Sequence, residues 1–267
     1  MRSTAPDYDP TQGRQSTTTR STMTVFRQTL LNRLNGASAT TITDAIHEPA
    51  FREAFGMVPV AGREVGVIDA WTKPGLRRRG RGYDCKTLLI TDRTSRERLW
   101  PASLPADAVI MPRRVPAPTE SVQIEFEHAR ISAGIRQLGQ MFDQDPADAG
   151  SWLLGRLRER YDKGVAKRKV RQIYYAFLLR DLDGGLLAHT EEPMSLPLLS
   201  ANSLDWHWQI VPDENAVADE SSEPNGEPIS LEGFDREGRL ILRWYVRGGQ
   251  VRERALLDPT QIVRFRV

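Results

Sequence analysis

Apolar positions along the chain change period several times, and those changes divide it into elements. In TVFRQTLLNRLNG, Phe26, Leu30, Leu31 and Leu34 fall on one side of a helix that Gly36 ends. TTITDAIHEPAFREAFG predicts a second helix, interrupted at Pro49. The period then shortens. REVGVIDAW (63–71) reads as a strand, TKPG as turn chemistry, and RGYDCKTLLIT (81–91) as a second strand. ADAVIM suggests another short strand. VQIEFEH alternates like a strand, whereas Ile131, Ile135, Leu138 and Phe142 recur at helical spacing.

SWLLGRLRERYDKGVAKRKV predicts a helix, RQIYYAFLLRDL a strand closed by a glycine turn, and WHWQIV another strand. Residues 213–228 are polar with two prolines and are expected to form a flexible loop. GRLILRWYV, the turn RGGQ, VRERALL and QIVRFRV then predict an antiparallel end. Helices first, a mixture next and a β-rich C-terminal part last point to an α/β (α+β) fold with one mixed sheet. Residues 1–22 are polar, lack an apolar signal core and are expected to be a disordered tail; residues 23–267 are expected to form one domain. No internal repeat occurs.

Composition changes this picture little. No run of 18 apolar residues predicts a membrane span. A lone cysteine, Cys85, rules out an internal disulfide and fits a cytoplasmic protein, and no Cys/His cluster has zinc spacing. The formal charge is only +2, but all except five of the 37 basic residues are arginine, the side chain suited to phosphate and guanine. They cluster. Arg77, Arg78, Arg79 and Arg81 fall in one turn, and Lys163, Lys167, Arg168, Lys169 and Arg171 form a second cluster, while acidic residues gather in DENAVADESSEPNGE.

Charges inside the apolar runs carry the candidate chemistry. Asp69 interrupts VGVIDAW, and Asp84 and Lys86 interrupt GYDCKTLLI. In a strand Asp84 and Lys86 share a face, with Tyr83, Cys85 and Thr87 on the other. If the two segments pair as a hairpin, Asp69 joins Asp84. Two carboxylates and an ammonium then converge, an arrangement suited to Mg2+-assisted phosphodiester hydrolysis. The Cys85 backbone carbonyl is a further candidate ligand. Lys86 would orient or deprotonate water, the latter if its pKa is depressed. An ordinary hairpin with a solvent-facing Asp–Lys pair remains the alternative, as does a non-catalytic DNA-binding or phage-type structural protein.

Asp69, followed by Asp84-x-Lys86 on a hairpin, resembles the PD-(D/E)XK nuclease superfamily, and within it the type II restriction endonucleases that cut interrupted GC-rich palindromes. The resemblance also draws on ITDAIHEPAFREAF, GVID, SLPADA and IYYAFLLRDL. Ile68 stands where the superfamily pattern has proline, and the β-rich end has no counterpart. The resemblance implies a restriction-endonuclease-like mixed sheet flanked by helices, in a single nuclease domain. It implies Asp69 and Asp84 on Mg2+, Lys86 as catalytic lysine, and double-stranded DNA as substrate. It also implies a homodimer or homotetramer matched to a palindrome. It brings in a helix glutamate reaching the metal through water, for which Glu53 is taken over Glu48. His47, His128, His189 and His207 are expected to be structural, and Trp206, Trp208 and Trp244 to be core.

Overall fold

The structure, a computed structural model, describes residues 19–59, 67–73, 80–100, 109–112, 120–182, 185–210 and 228–267. Helices α1 (Arg20–Leu34) and α2 (Asp44–Ala54) come first. Thr19 caps α1 by accepting from the Thr22 amide, and Asn35 ends it in the left-handed region at φ 47. Residues 20–22, expected in the tail, are therefore the first turn of α1. Helix α2 runs through Pro49 unbroken, because His47, Ala50 and Phe51 are buried on one side and hold it.

Strands β1 (Val58–Pro59), β2 (Ala70–Trp71) and β3 (Gly80–Leu89) follow, then α3 (Arg93–Leu99). Strand β4 (Val122–Arg130) and helix α4 (Ile135–Phe142) resolve the ambiguous stretch as strand, then helix. Helix α5 (Pro146–Arg168) leads through Lys169, at φ 51, into β5 (Val170–Arg180) and β6 (Leu186–Pro193). The chain ends in β7 (Asp205–Ile210), β8 (Pro228–Phe234), β9 (Leu240–Tyr245), β10 (Gln250–Leu257) and β11 (Val263–Arg266). The expected loop at 213–228 lies outside the described residues except for Pro228, which opens β8.

The fold is mixed α/β, with two sheets rather than the single expected one. A six-stranded sheet has the order β1-β2-β3-β5-β6-β11, and a five-stranded antiparallel sheet the order β4-β10-β9-β8-β7. In the first sheet only β3 and β5 run parallel. A parallel pair needs a long crossover, and here α3, β4, α4 and α5 supply it. The C-terminal strands do not form one antiparallel unit either. After β10 a turn at Pro259–Gln261 sends β11 back to the first sheet, where Val263 and Phe265 join the core beneath α1 and α2.

Three apolar clusters hold the layers. One lies between the sheets, where Phe126 packs against Tyr175 and Phe177 at ring-centroid distances of 4.8 and 5.0 Å. The second joins α1 and α2 to the outer face of the first sheet, through Phe26, Phe51, Tyr83 and Cys85. The third joins α5 to the second sheet and contains Trp206 and Trp244, which are core as expected, with Trp208 packed at its margin. Among the described residues no helix is long and apolar enough to cross a membrane.

Candidate active site

The hairpin expected from the sequence is present but short. Ala70 faces Tyr83 and Trp71 faces Gly82, and the Asp69 amide donates to the Tyr83 carbonyl at 2.7 Å. Residues 63–66 of the expected first strand lie outside the described residues. Where β2 ends, the Asp69 side chain continues the ladder, its Oδ2 accepting from the Cys85 amide at 2.8 Å. In a strand the amide and carbonyl of one residue point to the same neighbour, so the Cys85 carbonyl is directed to this same edge.

Alternation along β3 places the other groups. Tyr83 and Cys85 face the helices, and Asp84 and Lys86 face the space between the sheets, Lys86 Nζ lying 3.0 Å from Asp84 Oδ1. Burial pushes the Asp84 carboxyl well above the usual carboxylate range; Lys86 pulls it down, and the charge and hydrogen bond of Asp69 push it up again. The two carboxyl groups are thus neighbours. Burial opposes the Lys86 charge, but Asp84, Asp69 and Asp44 outweigh it and raise its pKa. That direction favours the first of the two roles expected of Lys86, orienting water, over the second, deprotonating it.

Helix α2 completes the cluster through a different glutamate. Asp44 Oδ1 accepts from the Thr87 amide at 2.9 Å, and His47 Nδ1 lies 3.2 Å from Thr87 Oγ1. These bonds fix the rotation of α2 against β3. Glu48, four residues after Asp44, shares its face. Burial, then the Asp69 and Asp44 carboxylates, push Glu48 up to about 7. Glu53 is turned about half a revolution away from Asp44 and pairs with Arg33 at 2.9 Å on the surface. The expectation of Glu53 at the metal is corrected: α2 directs Glu48 toward the site.

Carboxylates here outnumber the neighbouring ammonium, which is the electrostatic setting of a cation site. Among the described residues no three His, Cys, Asp or Glu side chains form a ready-made cage. Mg2+ needs none, since it commonly takes one or two carboxylates and keeps water as its other ligands. The donor set of Asp69, Asp84 and the Cys85 carbonyl fits that habit.

Other candidates fall into place around this cluster. Cys85 is 2 % exposed, and burial followed by the surrounding carboxylates pushes its thiol well up, which excludes a thiolate nucleophile. Arg77, Arg78 and Arg79 lie outside the described residues. Arg81 sits 5.0 Å over the Tyr174 ring. Lys167 and Lys169 are exposed at the end of α5, with Arg168 half-buried between them. Glu125 bonds Arg252 and Arg254, and Glu127 bonds Arg130 and Gln250, so this pair is a cross-linked polar strand face.

One network escaped the sequence reading, although His128 within it was expected to be structural. His128, an extra residue at a bulge in β4, lies 2.8 Å from Glu253, which accepts from the Tyr175 hydroxyl at 2.5 Å. All three are buried. Tyr175 is the register partner of Asp84, so this network joins the second sheet to the site. Comparison with known families, with characterised proteins and with solved structures finds no match to this chain. The nuclease resemblance therefore stands on the motif residues and their geometry.

Proposed function

We propose that the protein is a Mg2+-dependent, site-specific endonuclease of double-stranded DNA, of the type II restriction class, with a restriction-endonuclease-like core built on β2, β3 and β5. One observation carries this reading: Asp69, immediately before β2, meets Asp84 and Lys86 of β3 on the β2–β3 hairpin. An inert hairpin has no need of two neighbouring carboxyls at a buried strand edge, where like charges are unfavourable.

In this reading Asp69, Asp84 and the Cys85 carbonyl would hold Mg2+, which would supply charge stabilisation on the phosphate and a more acidic water. Lys86, kept cationic by its neighbours, donates to a phosphate oxygen or to the attacking water and holds it in line. Glu48 reaches the cluster through water from α2. The products are a 5′-phosphate and a 3′-hydroxyl, by analogy with the family. A palindromic, GC-rich site would be met by a homodimer or homotetramer, because two-fold protein symmetry matches two equivalent strands.

The test is incubation of diverse, unmethylated phage and genomic DNAs with the protein, with Mg2+ or with EDTA, beside the Lys86→Ala variant. Discrete fragments that need both Mg2+ and Lys86 are expected. Intact DNA in every lane, from a folded protein, would refute the nuclease and leave a DNA-binding protein as the reading.

A further inference from the structure

The geometry points to a phosphate-binding residue that the motif does not contain, Arg160 on α5. The chain reverses at Lys169, so α5 and β5 run in opposite directions. Their relative height is fixed at Gly164. A Cβ at that position would lie 3.4 Å from Ile68 Cδ1 and 3.5 Å from Ile173 Cδ1, so the helix rests directly on these residues. One turn back along α5, about 6 Å, is Arg160. Two residues forward along β5, about 6.6 Å, is Tyr175, which lies beside Asp84 in register. Arg160 therefore stands at the level of Asp84, on the face that carries Asp84 and Lys86. The Asp84 carboxylate acts on its guanidinium, although burial dominates and lowers the arginine pKa.

Its bonding is incomplete in a particular way. Arg160 Nη1 donates to the Arg130 carbonyl at 2.9 Å, which anchors one corner of the fork. Nε is buried and among the described residues has no acceptor. Among the described residues no carboxylate pairs with it, unlike Arg243, which bonds Glu232 at 2.6 Å. A buried N–H donor without an acceptor is costly, and an anion satisfies it. The edge that Nε makes with Nη2 has the spacing that grips two oxygens of one phosphate.

We propose that Arg160 contacts substrate, its Nε–Nη2 edge donating to two non-bridging oxygens of a duplex DNA phosphate beside Lys86. The choice of a DNA phosphate rests on the nuclease reading; the anion site itself does not. Anchored through Nη1 before the substrate arrives, the guanidinium needs only a local opening over Nε to stabilise charge there.

The test separates these two claims. The Nε–Hε resonance of Arg160 is assigned by its disappearance in Arg160→Gln and followed while inorganic phosphate is titrated into the metal-free protein. A saturable shift of that resonance, and loss of phosphate binding in both Arg160→Gln and Arg160→Lys with an unchanged thermal midpoint, is the expected result. A resonance that stays in place, or a variant that binds phosphate as the parent does, overturns the assignment. Single-turnover cleavage is measured alongside. Arg160→Gln is expected to be slower by about 100-fold at saturating protein, with duplex affinity also lowered and its salt slope flattened by about 0.9. A parent protein that shifts with phosphate yet cuts no DNA would refute the nuclease and leave the anion site standing.

Discussion

At the residue scale the site is a problem of too many carboxylates for the cations at hand, and Glu48 reports it. Its ordinary pKa of 4.5 is pushed up to about 7, first by burial, then by Asp69 and Asp44. A carboxyl raised on folding keeps its full contribution to stability below pH 4.5 and loses it as the pH rises toward 7. Glu48→Gln removes that loss. In metal-free buffer the variant should match the parent near pH 4 and exceed it by about 1 kcal/mol at pH 8, a figure discounted for the half-exposure of Glu48. His47 acts in the opposite sense. Burial, with His189 second, lowers it to about 3, so stability falls as the pH drops from 6.5. Subtracting parent from variant in denaturant titrations cancels the His47 effect. Equal stability at pH 8 would place Glu48 away from the carboxylate cluster. Asp84 and Lys86 were legible in the sequence because alternation in one strand is local, and Asp69 because a hairpin spans few residues. The choice between Glu48 and Glu53 was not, since it is decided by an Asp44–Thr87 bond across 43 residues. The spacing of Asp44 and Glu48, one turn apart, was the available signal.

At the element scale α5 serves two sheets, and its two ends do different things. Its first half buries Leu153, Leu154 and Leu157 in the cluster of the second sheet, and its second half carries Arg160 to the first. Gly150 makes the first contact close: a Cβ there would collide with the Trp206 ring. Gly150→Ala should therefore destabilise the fold by about 1–3 kcal/mol, despite the better helix propensity of alanine. The loss would appear as a lowered denaturant midpoint at unchanged slope. Gly150 lies ten residues before Arg160, about 15 Å along the helix. Cleavage measured well below the midpoint should thus persist, and a variant as stable as the parent would contradict the close packing. Element type was largely legible: α1, α2, β3, α5, β5, β7 and β9 to β11 follow from their periods, whereas β4 lay in an ambiguous stretch and β8 was not read at all. Sheet membership was not. QIVRFRV reads like its neighbours, yet β11 pairs with β6, because membership depends on which apolar face the strand meets. Arg160 was missed for the same reason. Nothing local in GRLRERYDK separates it from Arg156, which pairs with Glu159 on the surface.

At the scale of the whole molecule the basic groups and the carboxylate cluster occupy different heights on one sheet. Gly80, the first residue of β3, lies opposite Val170, the residue that follows Lys169. Lys167, Arg168 and Lys169 therefore sit at the starting end of the parallel pair. Asp84 and Lys86 are four and six residues further along β3, about 13–20 Å at strand rise. A duplex running along that direction covers this distance in about four to six base pairs. Under the proposed nuclease function, a scissile phosphate at Lys86 would leave the neighbouring backbone over the basic end, where cations would position the DNA without reading it. The replacement of Lys167→Gln, Arg168→Gln and Lys169→Asn together tests this. Asparagine is chosen for position 169 because that residue has φ 51, which asparagine accepts. Each phosphate contact contributes about 0.9 to the slope of log affinity against log salt. If all three side chains meet phosphates, the slope should flatten by about 2.7, with binding weakened equally on unrelated sequences. Single-turnover cleavage at saturating protein should be nearly unchanged, because the chemistry lies elsewhere. An unchanged salt slope would remove the end of α5 from the interface, and a lost cleavage rate at saturation would place it closer to the reacting phosphate than the sheet register allows.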